Sequence, residues 1–218
     1  MRKSTFFRTR HLRGRGRKDL RSLTREGELG LFAPKTWAFW RNLVFYFCAF
    51  SVIGHWLEII YCQFMRLFGI YDPDSLVWGN PFYPFMVYGI GTLVCALVLT
   101  PYKDYLIEHR KAINLAAAEF FGTSVLVCMV MELVMGLMLN QPDAVGVYPL
   151  WDNSNLPLNI LGQAWLVNDI VLGTVATLYT WFFYPLFEGM LRHVRPRTLD
   201  IAFAVVLVGF VALCIWSF

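Results

Sequence analysis

Five long apolar stretches, separated by polar interruptions, dominate the chain from about residue 42 onward. They cover about residues 42–65, 82–100, 113–139, 160–183 and 199–216. An α-helix needs roughly 20 apolar residues to cross a bilayer, and each stretch approaches or exceeds that length. Tryptophan and tyrosine residues stand near several of the ends, where membrane interfaces favour them. The pattern therefore predicts an all-α protein: a polytopic transmembrane helix bundle of about five spans, in contact with the lipid bilayer.

The longest polar interruption within this apolar region is residues 149–162, with the sequence PLWDNSNLPLNILG. It lies between the third and fourth spans. Its aspartate, serine and asparagine side chains make it more polar than a simple connection requires. We interpret it as the lid or rim of a site whose floor consists of buried carboxylates.

Four carboxylates fall inside the predicted spans: Glu58, Glu119, Glu132 and Asp169. A charged side chain at the bilayer centre costs about 2.5–3.5 kcal/mol on insertion scales, so it needs a partner, a proton or a water-filled cavity. Because successive spans alternate in direction, Glu58, Glu132 and Asp169 are expected in the membrane half next to the 149–162 loop. Glu119 is expected at the opposite interface. The sequence therefore predicts a substrate or proton site formed by the first three carboxylates together with Asp152 of the loop.

Helical spacing places Ser51, His55, Glu58 and Cys62 on one face of the first span. Two interpretations of His55 remain open at this point. Its ring either hydrogen-bonds to a backbone carbonyl, as isolated histidines in spans often do, or exchanges protons with Glu58 one turn away. In the second case His55 belongs to the site.

The approach to the second span carries Pro81 and Pro84 on either side of two aromatic residues. This segment is expected to be rigid and non-helical. Such backbone is tolerated at membrane depth where it is buried in protein or lines a cavity. Pro81 and Pro84 are therefore predicted to form a second wall of the same site.

Charge is distributed unevenly along the chain. Of 19 Lys and Arg residues, 12 precede Leu43, although charged residues make up only 16% of the sequence. Residues 1–36 are predicted to form a basic, disordered arm, and residues 37–218 the transmembrane domain. Basic residues cluster in the arm and in the 101–112 and 188–198 connections, which the positive-inside rule makes cytoplasmic. The amino terminus is then cytoplasmic and the carboxyl terminus extracytoplasmic, in a multi-pass protein of the cell membrane. Nucleic-acid binding by the arm is not expected.

Motifs for nucleotide or metal chemistry are absent from the sequence. There is no Walker A pattern, no GxSxG and no HExxH. The five cysteines stand in apolar segments without metal-ligand spacing and are expected to behave as small buried hydrophobes. No metal, cofactor or catalytic residue is therefore predicted.

Four sequence elements carry a resemblance to a known family. They are GHWLE (54–58), WGNPFYPFMVYGIG (78–91), MELVMGLML (131–139) and LWDNSNLPLNILG (150–162). In order and approximate spacing they resemble the small bacterial integral membrane proteins of the "type IV" group of ABC-transporter permeases. The resemblance covers about residues 46–173 and is loosest in the second element, whose spacing differs from the family's GPxxPxYGxG.

The resemblance implies roles for particular residues. The family's motif positions are matched by Glu58, Pro81, Pro84, Tyr88, Glu132, Trp151, Asp152, Ser154 and Asn159. Tyr88, Trp151, Ser154 and Asn159 thereby become expected residues of the site wall or loop. The chain departs from the pattern at His55, where the family has Trp, and at Asn153, where it has Tyr. It also has Asn140 in place of a Glu and Gln163 in place of an Arg, which is either a compensated exchange or a changed ligand.

Three functions are compatible with these observations. The first is a permease or substrate-binding membrane subunit that works with a separate ATPase, as a possible homodimer, with residues 103–111 as an amphipathic docking element. The second is an accessory or structural membrane protein whose carboxylates only stabilise packing. The third is an intramembrane acid/base enzyme acting on a lipid or envelope precursor, although no nucleophile is evident. The first is preferred, and an enzyme is the less favoured class.

Overall fold

The computed structural model describes residues 34–70, 75–110 and 112–217. The predicted basic arm lies almost entirely outside the described residues. Five helices are long and apolar enough to cross a membrane: α1 (Trp37–Arg66), α2 (Met86–His109), α3 (Ile113–Leu139), α4 (Leu166–Leu191) and α5 (Pro196–Ser217). A short antiparallel hairpin, β1 (Asn159–Ile160) and β2 (Ala164–Trp165), precedes α4. The predicted all-α, five-span architecture is confirmed.

Two helices begin later than the apolar pattern suggests. Residues 82–85 precede α2 as non-helical chain, because Pro84 disfavours helical backbone at the residue before it. Residues 160–165 form the hairpin instead of the first turns of α4. In both places apolar side chains continue beyond the helix, and hydropathy alone does not distinguish them from helical residues.

Helices α2 and α4 also continue past the prolines at which their spans were predicted to end. Each contains one π-helical turn, Cys95–Leu99 in α2 and Tyr179–Phe183 in α4, ending two residues before a proline. In α2, the Thr100 amide and hydroxyl both donate to the Cys95 carbonyl, the hydroxyl at 2.9 Å. The wider turn rearranges the hydrogen bonds where the proline ring would clash, so the helix continues.

The helices pack as two pairs. Helix α1 packs along α2, and α3 packs along α4, while α5 lies against α1. The two π-helical turns touch each other and join the pairs. The buried hydrophobic core lies around this junction and toward the bundle end opposite the 149–162 loop, with members such as Leu43, Leu99, Phe120 and Tyr184. The hydrophobic core is therefore concentrated at one end of the bundle.

Polar contacts reinforce that end of the bundle. Arg41, which is buried, donates to Asp200 at 3.0 Å and so joins α1 to α5. Glu188 of α4 accepts hydrogen bonds from Asn42 and from the Tyr46 hydroxyl, the latter at 2.9 Å. These bonds tie both later helices to the start of α1.

Most of the predicted docking element, residues 103–109, belongs to the last turns of α2, and Lys111 lies outside the described residues. Lys103 is buried beside Asp104, at 3.5 Å, and Leu106 is completely buried. Arg110 forms a two-pronged ion pair with Glu119, both bonds 2.6 Å long, at the start of α3. Glu119 thus has a partner at the end of the bundle where an interfacial residue was expected.

Large apolar side chains cover the outward surfaces of the helices, among them Ile60, Leu126, Phe182 and Val205. Exposing so much apolar surface to water is unfavourable, whereas contact with lipid chains carries no such penalty. The helices therefore contact the lipid bilayer.

Candidate functional site

A cavity of about 350 Å³ lies between the α1–α2 pair and the α3–α4 pair. All four helices line it, and residues of the 75–78 and 150–156 segments close the end that faces the 149–162 loop. Small-molecule sites span about 300–1,000 Å³, so the space suits a compact ligand. Of the five site residues predicted from the sequence, Glu58, Glu132 and Asp152 line this cavity.

Glu58 reaches the cavity from the middle of α1. Gly54, one turn earlier, allows the Tyr88 ring to lie directly against the helix, since a Cβ at residue 54 would overlap that ring. Tyr88 therefore lies beside the Glu58 carboxylate. The Glu58 Oε2 atom is closed to solvent and has no hydrogen-bond partner among the described residues.

Tyr61 supplies a second unsatisfied group on the same cavity wall. It follows Glu58 by three residues and therefore lies on the same helix face. Its buried hydroxyl likewise finds no hydrogen-bond partner within the described part of the chain. Buried polar atoms are almost always paired with protein or ordered water, so these two atoms are available to a bound molecule.

His55 lies outside the cavity, although it shares a helix face with Glu58. Its Nδ1 atom lies 3.0 Å from the Tyr83 carbonyl oxygen, and Nε2 lies 3.1 Å from that of Val77. A neutral imidazole has one N–H and donates to one of these carbonyls, whereas the imidazolium donates to both. The completely buried ring therefore fastens the non-helical chain before α2 onto α1. Of the two interpretations of His55, the geometry matches hydrogen bonding to backbone carbonyls.

Glu132 faces Glu58 from the α3 side of the cavity wall, and both of its carboxylate oxygens are engaged. Oε2 accepts from the Trp165 backbone amide at 3.2 Å, and Oε1 accepts from Asn168 Nδ2 at 2.6 Å. Both donors stand at the start of α4. The Trp165 donor is one of the backbone amides that have no partner within the helix at this position. Glu132 thus ties α3 to the beginning of α4 as well as lining the cavity.

Asp169 lies behind this wall and is completely buried. Its carboxyl group is a neighbour of the Glu132 carboxyl group. Neither Asp169 oxygen has a hydrogen-bond donor group among the described residues. Two adjacent carboxyl groups can share one proton, which then serves as the donor between them. The sequence placed these two residues at the same depth, and the fold makes them neighbours.

The 149–162 loop is held together largely by its own side chains. Trp151 Nε1 donates to the Gln163 carbonyl at 2.8 Å, as does Asn153 Nδ2. Asn159 donates to the Ser154 and Leu156 carbonyls and accepts from the Gly162 amide at 2.9 Å. Ser154 packs so closely on Gly162 that a Cβ there would lie 2.6 Å from its hydroxyl oxygen. Its polarity therefore serves to fold a compact cap.

Asp152 is exposed at the cavity rim, and its Oδ1 atom accepts from the Ser154 amide at 2.8 Å. This is a local turn contact of the kind that short acidic side chains make. Asp152 does not cap α4, because α4 begins only at Leu166 with Trp165 at its N-cap. The hairpin that separates the loop from α4 is the physical reason.

Asn140 and Gln163 carry more of the site's architecture than the sequence indicated. Asn140 is completely buried and donates to the Trp151 carbonyl at 2.6 Å and to Gln163 Oε1 at 3.0 Å. Its own Oδ1 atom accepts from the Leu150 amide at 3.0 Å. The two departures from the expected Glu and Arg are therefore in direct contact, which is the geometry that a compensated exchange requires.

The prolines before α2 occupy different environments. Pro84 is buried, and Pro81 is exposed with its carbonyl accepting from Trp56 Nε1 at 2.7 Å. Neither proline lines the cavity; Ser75, Val77 and Trp78, which precede them, do. The Ser75 hydroxyl donates to the Leu150 carbonyl at 2.5 Å and so joins this segment to the 149–162 loop. The prolines therefore act on the cavity only through the chain that they shape.

No group of three or more His, Cys, Asp or Glu side chains is arranged to hold a metal ion within residues 34–70, 75–110 and 112–217. Glu132 and Asp152 instead accept hydrogen bonds from the protein, and Glu58 lines the cavity.

Five membrane-crossing helices, four of which line a capped cavity, define a polytopic membrane protein with a candidate binding site inside the bundle. The model of the family described as "Putative ABC-transporter type IV" matches residues 45–218, and the chain belongs to this family. It is thus a membrane protein associated with ABC-type transport. No curated protein matches the chain, and no solved structure matches it.

Proposed function

We propose that this chain is the substrate-binding membrane subunit of an ABC-type transport system, and that a separate ATPase supplies the energy. The cavity between the two helix pairs carries the proposal, because three of its lining residues have a buried polar atom without a partner among the described residues: Glu58 Oε2, Tyr61 Oη and Tyr179 Oη. The family supports the transport class. The absence of a Walker A pattern from the sequence supports a separate source of ATP hydrolysis.

The proposal places the 149–162 loop on the extracytoplasmic side, in line with the positive-inside rule. The capped end of the cavity then faces that side, and the end of the bundle that holds the hydrophobic core faces the cytoplasm. A homodimer is part of the proposal, since five spans form a narrow pathway alone. The bundle end that carries Arg110 and Glu119 would then face the ATPase.

A structural role is the second candidate, and one observation favours it. Both Glu132 oxygens and one Asp152 oxygen already accept hydrogen bonds from the protein. Satisfied carboxylates need no ligand. Glu58 distinguishes the two candidate functions, because a purely structural role leaves its Oε2 atom without a hydrogen-bond partner among the described residues.

Native cysteines provide the test. Cys62, Cys95 and Cys128 line the cavity, whereas Cys214 lies on α5 away from it. We expect an ABC-type ATPase to co-purify in mild detergent. We also expect ATP with vanadate to change the rate of maleimide labelling at Cys62 at least threefold in a variant that retains only this cysteine. A Cys214-only variant is the control and should label at an unchanged rate.

The opposite result is equally clear. If no ATPase co-purifies and Cys62 labels at the same rate with and without nucleotide, the transport proposal is wrong and the structural role is favoured.

A further inference from the structure

The charged residues that line the cavity are all acidic. They are Glu58, Glu132 and Asp152, and the described residues of the lining include no Lys, Arg or His. An anionic ligand would meet three carboxylates and no counter-charge. A cation is the ligand whose charge these walls complement.

Glu58 is the carboxylate best placed to receive that charge. Glu132 already accepts from two donors, and Asp152 lies exposed at the rim. Glu58 has a buried Oε2 atom without a partner, and Tyr61 Oη lies on the same wall in the same condition. An N–H donor from a ligand would satisfy the carboxylate oxygen, and a charge-assisted bond of this kind is stronger than a neutral one.

The cavity changes character along its length. Glu58, Tyr61, Glu132 and Asn168 lie toward the capped end. The deep end, near the junction of the helix pairs, is walled mainly by apolar side chains such as Phe50, Leu99, Val127 and Ala176, with the buried Tyr179 hydroxyl among them. A ligand that fills this space therefore needs a polar head and an apolar body.

The two connections on the capped side of the bundle are also acidic in sequence. Residues 67–81 and 140–159 contain four aspartates and no Lys, Arg or His. A surface of one sign raises the local concentration of oppositely charged solutes and lowers that of like-charged ones. Cations would accordingly be enriched at the rim of the cavity.

We propose that the cavity binds an amphipathic organic cation, with an amine head at Glu58 and Tyr61 and an apolar body directed toward Phe50 and Leu99. This inference rests on the proposed function and specifies the substrate class of the same site. The volume of about 350 Å³ limits the ligand to the size of a small drug molecule.

The test uses three fluorescent probes that share a dansyl group and differ in the head. They are the amine dansylcadaverine, the neutral N-pentyl dansylamide and the anionic 6-(dansylamino)hexanoate. Binding to the purified full chain in nanodiscs of zwitterionic lipid is measured by fluorescence, with empty nanodiscs subtracted. We expect the amine to bind at least tenfold more tightly than either analogue, and to slow labelling of Cys62 but not of Cys214.

Variants then locate the head group. Glu58→Gln is expected to weaken amine binding at least tenfold while leaving the weak binding of the neutral probe unchanged. Tyr61→Phe should weaken amine binding about threefold. Glu108→Gln removes an exposed carboxylate outside the cavity and should bind as the native chain does. Elution volume and thermal midpoint confirm that each variant is folded.

The outcomes separate the two proposals. If the neutral probe binds as tightly as the amine and also protects Cys62, or if Glu58→Gln binds the amine normally, the cation preference is wrong while the cavity remains a binding site. If none of the three probes binds or protects Cys62, the cation inference is overturned. The transport proposal then depends on the ATPase and on nucleotide-dependent labelling alone.

Discussion

At the scale of single residues, Asn140 connects more of the site than any carboxylate does. Its amide group bonds to the backbone of Leu150 and Trp151 and to the side chain of Gln163. It thereby attaches both ends of the cap to the end of α3. Because Asn140 is completely buried, water cannot replace these bonds if the side chain is removed.

Asn140→Ala is expected to destabilise the protein by about 2 kcal/mol, since buried groups left unpaired each cost roughly 1–3 kcal/mol. Asn155→Ala is the matched control, because Asn155 is an exposed asparagine of the same loop. It should change stability by less than about 0.5 kcal/mol. Thermal unfolding in detergent measures both variants. Equal midpoints for the two would show that Asn140 does not hold the cap.

At the scale of elements, glycines decide how closely the helices of each pair approach. A Cβ at Gly89 of α2 would lie 2.7 Å from both the carbonyl oxygen and the ring of Phe47 on α1, and closer still to Ser51 Oγ. A Cβ at Gly173 of α4 would lie 2.9 Å from the backbone of Val125 on α3. Each pair of helices therefore contacts backbone to backbone, and small residues of this kind are typical of membrane helix interfaces.

Gly89→Ala is expected to cost about 1–3 kcal/mol, the usual penalty for overpacking, because the helices must separate. Gly91→Ala tests the same helix two residues on, where a Cβ would meet nothing within 4 Å. It should leave stability unchanged or raise it slightly, since alanine favours helix over glycine by about 1 kcal/mol. Unfolding of both variants in increasing dodecyl sulfate gives the comparison, and a Gly89→Ala variant as stable as Gly91→Ala would contradict the close contact.

At the scale of the whole molecule, an odd number of spans puts the amino and carboxyl termini on opposite faces of the membrane. The five helices observed satisfy this condition. Basic residues are concentrated before α1 and in the connections that follow α2 and α4, which all lie on one face. The proposed orientation makes that face cytoplasmic.

A protease-cleavable tag at each terminus tests this orientation. In intact spheroplasts we expect the carboxyl-terminal tag to be cleaved and the amino-terminal tag to be protected, and both to be cleaved after detergent is added. The reverse pattern would place the capped cavity on the cytoplasmic side. Cleavage or protection of both tags together would contradict five crossings.

Much of the architecture could be predicted from the order of apolar residues, because bilayer thickness fixes how many of them a span needs. The helix ends were less accessible. The second and fourth spans were predicted to end just before Pro101 and Pro185. Only the π-helical turns before these prolines explain why α2 and α4 continue. His55 illustrates the same limit at one side chain, since helical spacing put it beside Glu58 while the fold turned its ring to two carbonyls.

The sequence by itself determined the five spans and the polar loop between α3 and α4, and it predicted the depth of the carboxylates. These follow from local hydropathy and from the alternation of spans. Only the tertiary structure decided which polar groups are satisfied: Glu132 is bonded by the start of α4 and Asp152 by its own turn, while Glu58 Oε2 has no partner among the described residues. Hydrogen-bond partners come from other helices, and their identity depends on how the two pairs pack. For that reason the candidate ligand atom on Glu58 appeared only in three dimensions.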